Sequence, residues 1–553
     1  MPVKQIFKYY LIFLIACMVV YSLNRYRVHP ISVFNSRFRN DILSIDTYKT
    51  NMNGGVEATK PSTWIDLFPE LTSLEFSISE ERLVKFQRST CANTTELLFQ
   101  SDNYFLGDIL KVTLVAKDYE GIQKPYGGDY FRAVLRPEGK AKDGISCAID
   151  DQMNGVYLIQ CLLLWPGKSN LHVHLMHPSE SVLFLMRNTT DTTGGVRYKT
   201  NFVDSNGQNE SSICAMEFGN EYSINQLCNY SNAKNGEPWY CVKPPSGECN
   251  EMVWQVNDKR EVNIIPDVEN NSFYDPHRNW NIRIHNGNRQ ILVDDSKNLM
   301  KKERKGRCDK EYESSLNPSA PTGFIEKTKW KSLTCYNSQY HTQSMIKCLT
   351  NTSVYFVGDS TIRLWYEFYR KKFRAEEILD KIKGSWSCSR IAINKLHNIT
   401  LYYNSHGPPL RNPGPPITRP YITDTLDKIQ STGNKIVILF TIGFHFQVFS
   451  PRILIRRIRV IKTGFLHILK RIPGIRIFVK GFHTHTETKP VIPSDWLSYR
   501  FEVILRNEFS EMKNVTFLSM WDAAAVLKNQ FIHPNGREQL LYADIFQSAL
   551  CKI

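Results

Sequence analysis

At 553 residues, with 42% apolar and 12% aromatic content, the chain carries material for several cores and falls outside the disordered and fibrous classes. The net charge of +15 calls for acidic partners or a solvated basic surface. No C-x-x-C pair occurs among the thirteen cysteines, which excludes a zinc ribbon.

Residues 9–23 form a nearly unbroken apolar run flanked by Lys4, Lys8, Arg25 and Arg27. The run is shorter than the ~20 residues that span an average bilayer. Residues 1–27 therefore read as a cleaved signal peptide or a short signal-anchor. The anchor is favoured because no A-x-A precedes a cut, and it would leave the rest of the chain lumenal. Setting aside Cys17 in that run leaves twelve cysteines, all beyond residue 90. Eight N-x-[ST] sequons accompany them, at Asn93, Asn188, Asn209, Asn229, Asn270, Asn351, Asn398 and Asn514. An even cysteine set with scattered sequons points to an oxidising compartment and disulfides. Such a compartment holds little nucleic acid, so acidic glycans, acidic glycoproteins or membrane headgroups are the expected partners.

Residues 28–90 lack sustained periodicity and read as a stem, with one short helix near residues 79–88. From residue 91 to 200 the period is two: Leu110, Val112, Leu114 and Ala116, then Phe131, Ala133 and Leu135, then Leu171, Val173 and Leu175. Short strands at this spacing predict an antiparallel β-sandwich of immunoglobulin type. Cys147 and Cys161 bracket one hairpin. His172 and His174 share a strand face that reads as solvated rather than metal-binding, and no metal site is expected. Residues 201–305 form a loop-rich module around Cys214, Cys228, Cys241 and Cys249, followed by a basic linker.

From residue 306 to 553 strands and helices alternate, which predicts a mainly parallel sheet covered on both faces. Residues 354–357 read as a buried strand, broken by Gly358-Asp359-Ser360. From Thr361, residues Ile362, Trp365, Tyr366 and Tyr369 recur at helical spacing. Further strands are expected at 399–403, 436–440, 475–479 and 515–518, and a long helix at 451–470 carries Arg452, Arg456, Arg457, Arg459 and Lys462. An unpaired guanidinium is expensive to bury, so this arginine cluster is expected to form a weak polyanion-binding face. Ligands of parallel sheets bind at the carboxyl ends of strands, where Ser360, Gly443 and His445 fall. A serine at a strand–glycine–helix corner has the helix's positive end beside it and can hold an oxyanion there; the simpler role is a helix cap.

Gly358-Asp359-Ser360-Thr361 with Arg363 resembles the first block of the PC-esterase branch of the SGNH/GDSL hydrolases. The chain as a whole resembles the neurexophilin and PC-esterase domain (NXPE) family. Tyr126-Gly127-Gly128-Asp129 and Leu164-Trp165-Pro166-Gly167-Lys168 carry the neurexophilin-like half. His406-Gly407-Pro408-Pro409, Gly443-Phe444-His445-Phe446, Trp521-Asp522 and His533-Pro534 carry the other. The resemblance implies a three-layer α/β SGNH-like domain with Ser360 as nucleophile and His533 as base. Such sites usually place an aspartate three residues before the histidine, where this chain has Gln530. Asp522 is then the expected carboxylate for His533. Ser360, Gly407 and His445 would supply oxyanion donors near Gly443, and Arg363 would orient an acidic sugar or brace the helix.

Two functions follow from the resemblance. One is a lumenal enzyme that moves acetyl groups to or from glycans, sialic acid among them. It would hold no bound cofactor and, as a transferase, would use an acyl donor such as acetyl-CoA as co-substrate. The other is a secreted or cell-surface neurexophilin-like binding protein, with a receptor as partner and an inactive esterase half.

Overall fold

The structure, a computed structural model, describes residues 64–551 except 69–70, 72–85, 192–196, 204–205, 217, 219–220, 246–247, 258–279, 296–305, 309–320, 381–387, 408–419, 487–493, 513 and 535. The expected N-terminal apolar segment and residues 79–85 of the expected helix at 79–88 lie outside the described residues, and Phe86–Arg88 is a 3-10 turn. Among the described residues no helix is long and apolar enough to cross a membrane.

The first half is built on two facing sheets. A four-stranded sheet joins Glu96–Phe99, Ile109–Val115, Val156–Leu162 and Ala148–Asp151. Opposite it lies an eight-stranded sheet containing β1 (Tyr130–Pro137), β2 (Gly167–His177) and β3 (Ile282–Arg283). The period-two residues meet between them, with Leu110, Val112 and Leu114 against Phe131, Ala133, Leu135, Leu171, Val173 and Leu175. Alternation dictates this outcome, since successive strand residues point to opposite faces. Cys147 and Cys161 are bonded. The eight-stranded sheet is completed by β4 (Gly323–Glu326) and its hairpin partner Lys329–Ser332. That hairpin, which the sequence patterning did not reveal, lies beyond residue 306 yet pairs into this sheet. The outer face carrying His172 and His174 is not solvated as expected: both rings are half-buried, and Val134 beside them packs into the core of the second half.

The Tyr126–Asp129 motif is a buried polar anchor. Tyr126 Oη donates to Glu180 at 2.8 Å, and Ser179 N donates to Asp129 Oδ1 at 2.7 Å, which fixes the start of the helix Ser179–Asp191. Burial, then the Glu180 charge, pushes the Asp129 carboxyl up to about 7. The cysteine-rich module is a five-stranded sheet tied by Cys214–Cys241 and Cys228–Cys249.

The second half is a seven-stranded sheet. Its parallel part runs, in spatial order, β6 (Ile399–Ser405), β5 (Thr352–Gly358), β7 (Lys435–Thr441), β8 (Arg476–Lys480) and β9 (Val515–Leu518). Strands Glu376–Asp380 and Arg390–Asn394 extend it antiparallel. The helices are α1 (Ser360–Lys372), α2 (Pro451–Arg471), α3 (Asp495–Phe509), α4 (Trp521–Leu527) and α5 (Arg537–Leu550). Apolar clusters cover both faces of the sheet, which is why its strands read as continuous hydrophobic runs. One cluster also takes in Trp64, Tyr130, Tyr198 and Trp239, so the core continues into the first half and the cysteine-rich module. Trp64 Nε1 donates to Thr189 Oγ1 at 2.8 Å while its ring lies 5.1 Å from that of Trp496. Cys308–Cys335 and Cys348–Cys551 complete five disulfides among the described cysteines, and Cys91 and Cys388 are buried thiols. Asn93, Asn209, Asn229, Asn351, Asn398 and Asn514 are all exposed, as glycan acceptors must be.

Candidate active site

With β6 and β7 on either side of β5, the chain reverses direction across the sheet at the carboxyl end of β5. Such a switch point leaves a crevice above the strand ends. Asp359 caps α1, its carboxylate accepting from Thr361 N at 2.9 Å and Thr361 Oγ1 at 2.7 Å. Ser360 is thereby left as the first helical residue, with its side chain free of the capping role. Its Oγ lies 2.7 Å from His533 Nε2. Ser360 is buried and His533 exposed, so the pair opens to solvent from the histidine side.

The loop that carries His533 is held by residues that sequence reasoning missed. His483, just past β8, places Nε2 3.0 Å from the Ile532 carbonyl, to which it donates. Burial holds this imidazole neutral, its pKa well below the usual value. Asn529 Nδ2 donates to Thr484 O at 2.6 Å and Phe531 O at 2.8 Å, and Thr486 N donates to Gln530 O at 3.0 Å. The only sequence signal for His483 was its place at a strand's carboxyl end.

On the other side, His406 follows β6 and His445 lies in the short 3-10 turn Phe444–Phe446 after β7. His406 Nε2 is 2.8 Å from His445 Nδ1. Burial pushes His406 down to about 4, so it is neutral and fixes the orientation of His445. Gly407 and Gly443 are both required by close approach. A Cβ on Gly407 would stand 2.7 Å from the Tyr421 ring, and one on Gly443 would stand 2.0 Å from the Phe482 ring. Both have positive φ, 78° and 149°. Beneath Ser360, Lys480 is fully buried with Nζ 3.4 Å from Thr361 Oγ1; burial lowers it to about 8, opposed by Asp359 and Glu502. At neutral pH it remains mostly charged and adds to the positive field of the α1 N-terminus.

One expected role is corrected, and one of two expected for Arg363 is selected. Asp522 does not reach His533: its Oδ2 accepts from Thr322 N and Thr322 Oγ1, each at 2.8 Å. The α4 helix turns this carboxylate toward the residues that lead into β4, and burial raises its pKa. Gln530 is exposed, and its carbonyl serves the loop. Arg363 forms an ion pair with Glu367 one turn along α1, and Glu367 also pairs with Arg390 at 3.2 Å. Arg363 thus braces the helix.

Two of the α2 arginines expected on a polyanion-binding face are held by carboxylates, while Arg456 is exposed. Arg457 is buried against Glu237, and Arg459 pairs with Glu508 at 3.0 Å.

A family model described as NXPE family member 4-like, C-terminal domain, matches residues 330–551, the segment that carries this constellation. A second, described as Neurexophilin, matches residues 100–277. The disulfides and the neurexophilin match fit a protein of the secretory pathway. With both halves matched in order, the chain belongs to the NXPE family.

Proposed function

We propose that the chain is a lumenal glycan O-acyltransferase or esterase of SGNH type, acting on sialic acid or other sugars of glycoproteins. The observation that carries the reading is the 2.7 Å approach of Ser360 Oγ to His533 Nε2 above the strand ends. In this reading the seven-stranded sheet and its helices form the SGNH-like domain, the two facing sheets an Ig-like module, and the membrane or Golgi location is set by residues 1–27.

His533 Nε2 takes the Ser360 proton as Oγ attacks the carbonyl carbon of an acyl donor, acetyl-CoA in the simplest case. The N–H groups of Ser360 and Gly407, with His445 as third donor, receive the developing oxyanion. His533 returns the proton to the leaving group, and acyl-Ser360 remains. A sugar hydroxyl, or water in an esterase, then attacks the acyl carbon while His533 takes its proton. Collapse of this second tetrahedral intermediate releases the ester, or the free acid, and returns the proton to Ser360.

The competing reading, a neurexophilin-like binding protein with an inactive esterase half, is favoured by Gln530 in the usual aspartate position and by the engagement of Asp522 with Thr322. O-acetylation of secreted glycans in cells expressing Ser360→Ala, Gln530→Ala or Asp522→Asn tests the choice. The enzyme reading expects loss in Ser360→Ala and retention in Gln530→Ala. Asp522→Asn should lower yield or stability rather than activity per folded molecule. Wild-type acetylation no higher than in cells lacking the protein would favour the binding protein.

A further inference from the structure

The outer face of the eight-stranded sheet holds a concentration of cations that nothing in the proposed reaction uses. In the strand register, Arg132 of β1 stands opposite His174 of β2, and His174 stands opposite Arg283 of β3. Strand spacing makes this a row about 10 Å long. His172 lies two residues along on the same face, Arg136 continues it on β1, and Lys528, just past α4, adds a further cation. The row adjoins the loop that carries His533, since Arg136 Nη2 donates to the Val526 carbonyl and Lys528 precedes Asn529.

Acidic groups do not balance this row. Asp495 pairs with Arg132 at 3.2 Å, and Asp143 acts on Arg136. The charged groups that act on His172, His174 and Lys528 are all basic. Burial, then these cations, lowers His172 to about 4 and His174 to about 3. Arg136 Nε, His172 Nδ1 and Arg283 Nε are buried and meet no hydrogen-bond partner among the described residues. Such groups are unfavourable together unless an acceptor of negative charge joins them.

We propose that this row binds an oxyanion, the phosphate or carboxylate group of a ligand whose other end reaches the Ser360–His533 site. Arginine forks match the planar or tetrahedral oxygens of both groups, and a half-buried row strengthens the attraction. Only the identity of the attached ligand rests on the acyl-transfer reading: a phosphate belongs to the acyl donor, a carboxylate to an acidic sugar acceptor.

Calorimetric titration of the purified full chain with pyrophosphate and with free sialic acid tests this. Wild type and Ser360→Ala are expected to bind at least one probe equally, so the anion site is judged independently of the chemistry. Arg283→Gln and Lys528→Gln are each expected to weaken binding about tenfold or more, as loss of a charge-assisted hydrogen bond does. Lys528 is exposed, so its variant keeps the test open if Arg283→Gln fails to fold. Binding of pyrophosphate alone assigns the row to the donor, and binding of sialic acid alone assigns it to the acceptor. Failure of both probes with wild type, or unchanged binding in both cation variants, overturns the proposal. A wild type that binds an anion but never transfers an acyl group would sink the proposed reaction and leave the anion site standing.

Discussion

Arg457 of α2 and Glu237 of the cysteine-rich module form an ion pair from which water is excluded, their side chains 2% and 0% exposed. Arg457 Nη1 also donates to the His406 carbonyl at 3.2 Å, and its guanidinium lies over the Tyr421 and Phe446 rings at 5.0 and 5.6 Å. The module therefore reaches the His406–His445 side of the site through one residue. Removing one partner of a buried pair leaves an uncompensated charge and costs about 3–5 kcal/mol. Glu237→Gln should lower the thermal midpoint accordingly, whereas Arg459→Gln, at a half-exposed pair, should change stability by about 1 kcal/mol or less. Equal midpoints in the two variants would refute the structural weight given to Glu237.

The loop around His533 offers a second test. Asn529→Ala removes two hydrogen bonds that hold the loop to Thr484 and Phe531. A misplacement of about 1 Å at a catalytic group can lower the rate about 100-fold. The expected result is a fall in kcat on that order with little change in KM. A variant that loses substrate binding but keeps kcat would show that Asn529 shapes a binding surface instead.

His406 gives a pH prediction. Its folded pKa is lowered to about 4 from an ordinary 6.5, so below pH 6.5 the unfolded chain binds a proton that the native ring does not. Wild-type stability conferred by this residue is complete above 6.5 and falls as pH drops toward 4. At pH 5 the loss is about 2 kcal/mol. His406→Gln lacks this titration. The stability gap between wild type and His406→Gln should therefore narrow by that amount between pH 7.5 and pH 5, as read by denaturant unfolding. A gap independent of pH would mean that His406 is not held neutral.

Local pattern was legible in the sequence, and long-range pairing was not. The expected strand at 354–357 and the helix after it appear as Thr352–Gly358 and Ser360–Lys372, and the helix expected at 451–470 ends one residue later. These elements repeat with a strong period over several turns or are fully apolar, so local sequence specifies them. The Gly323–Glu326 hairpin was not legible, because strand partners are chosen by packing that short sequences do not encode. Arg457 looked like a surface charge because its partner, Glu237, lies in a different module. Asp522 was chosen for its chemistry alone. Its direction is set by the turn of α4 toward Thr322, which no spacing along the chain reveals.

In the proposed reaction Ser360 becomes acylated through His533. Intact-protein and peptide mass spectrometry after incubation with acetyl-CoA reads this directly. An acetyl adduct is expected on the Ser360 peptide of the wild type, absent in Ser360→Ala and strongly reduced in His533→Ala. An adduct that persists in His533→Ala at the wild-type rate, or acetylation confined to residues other than Ser360, would contradict it.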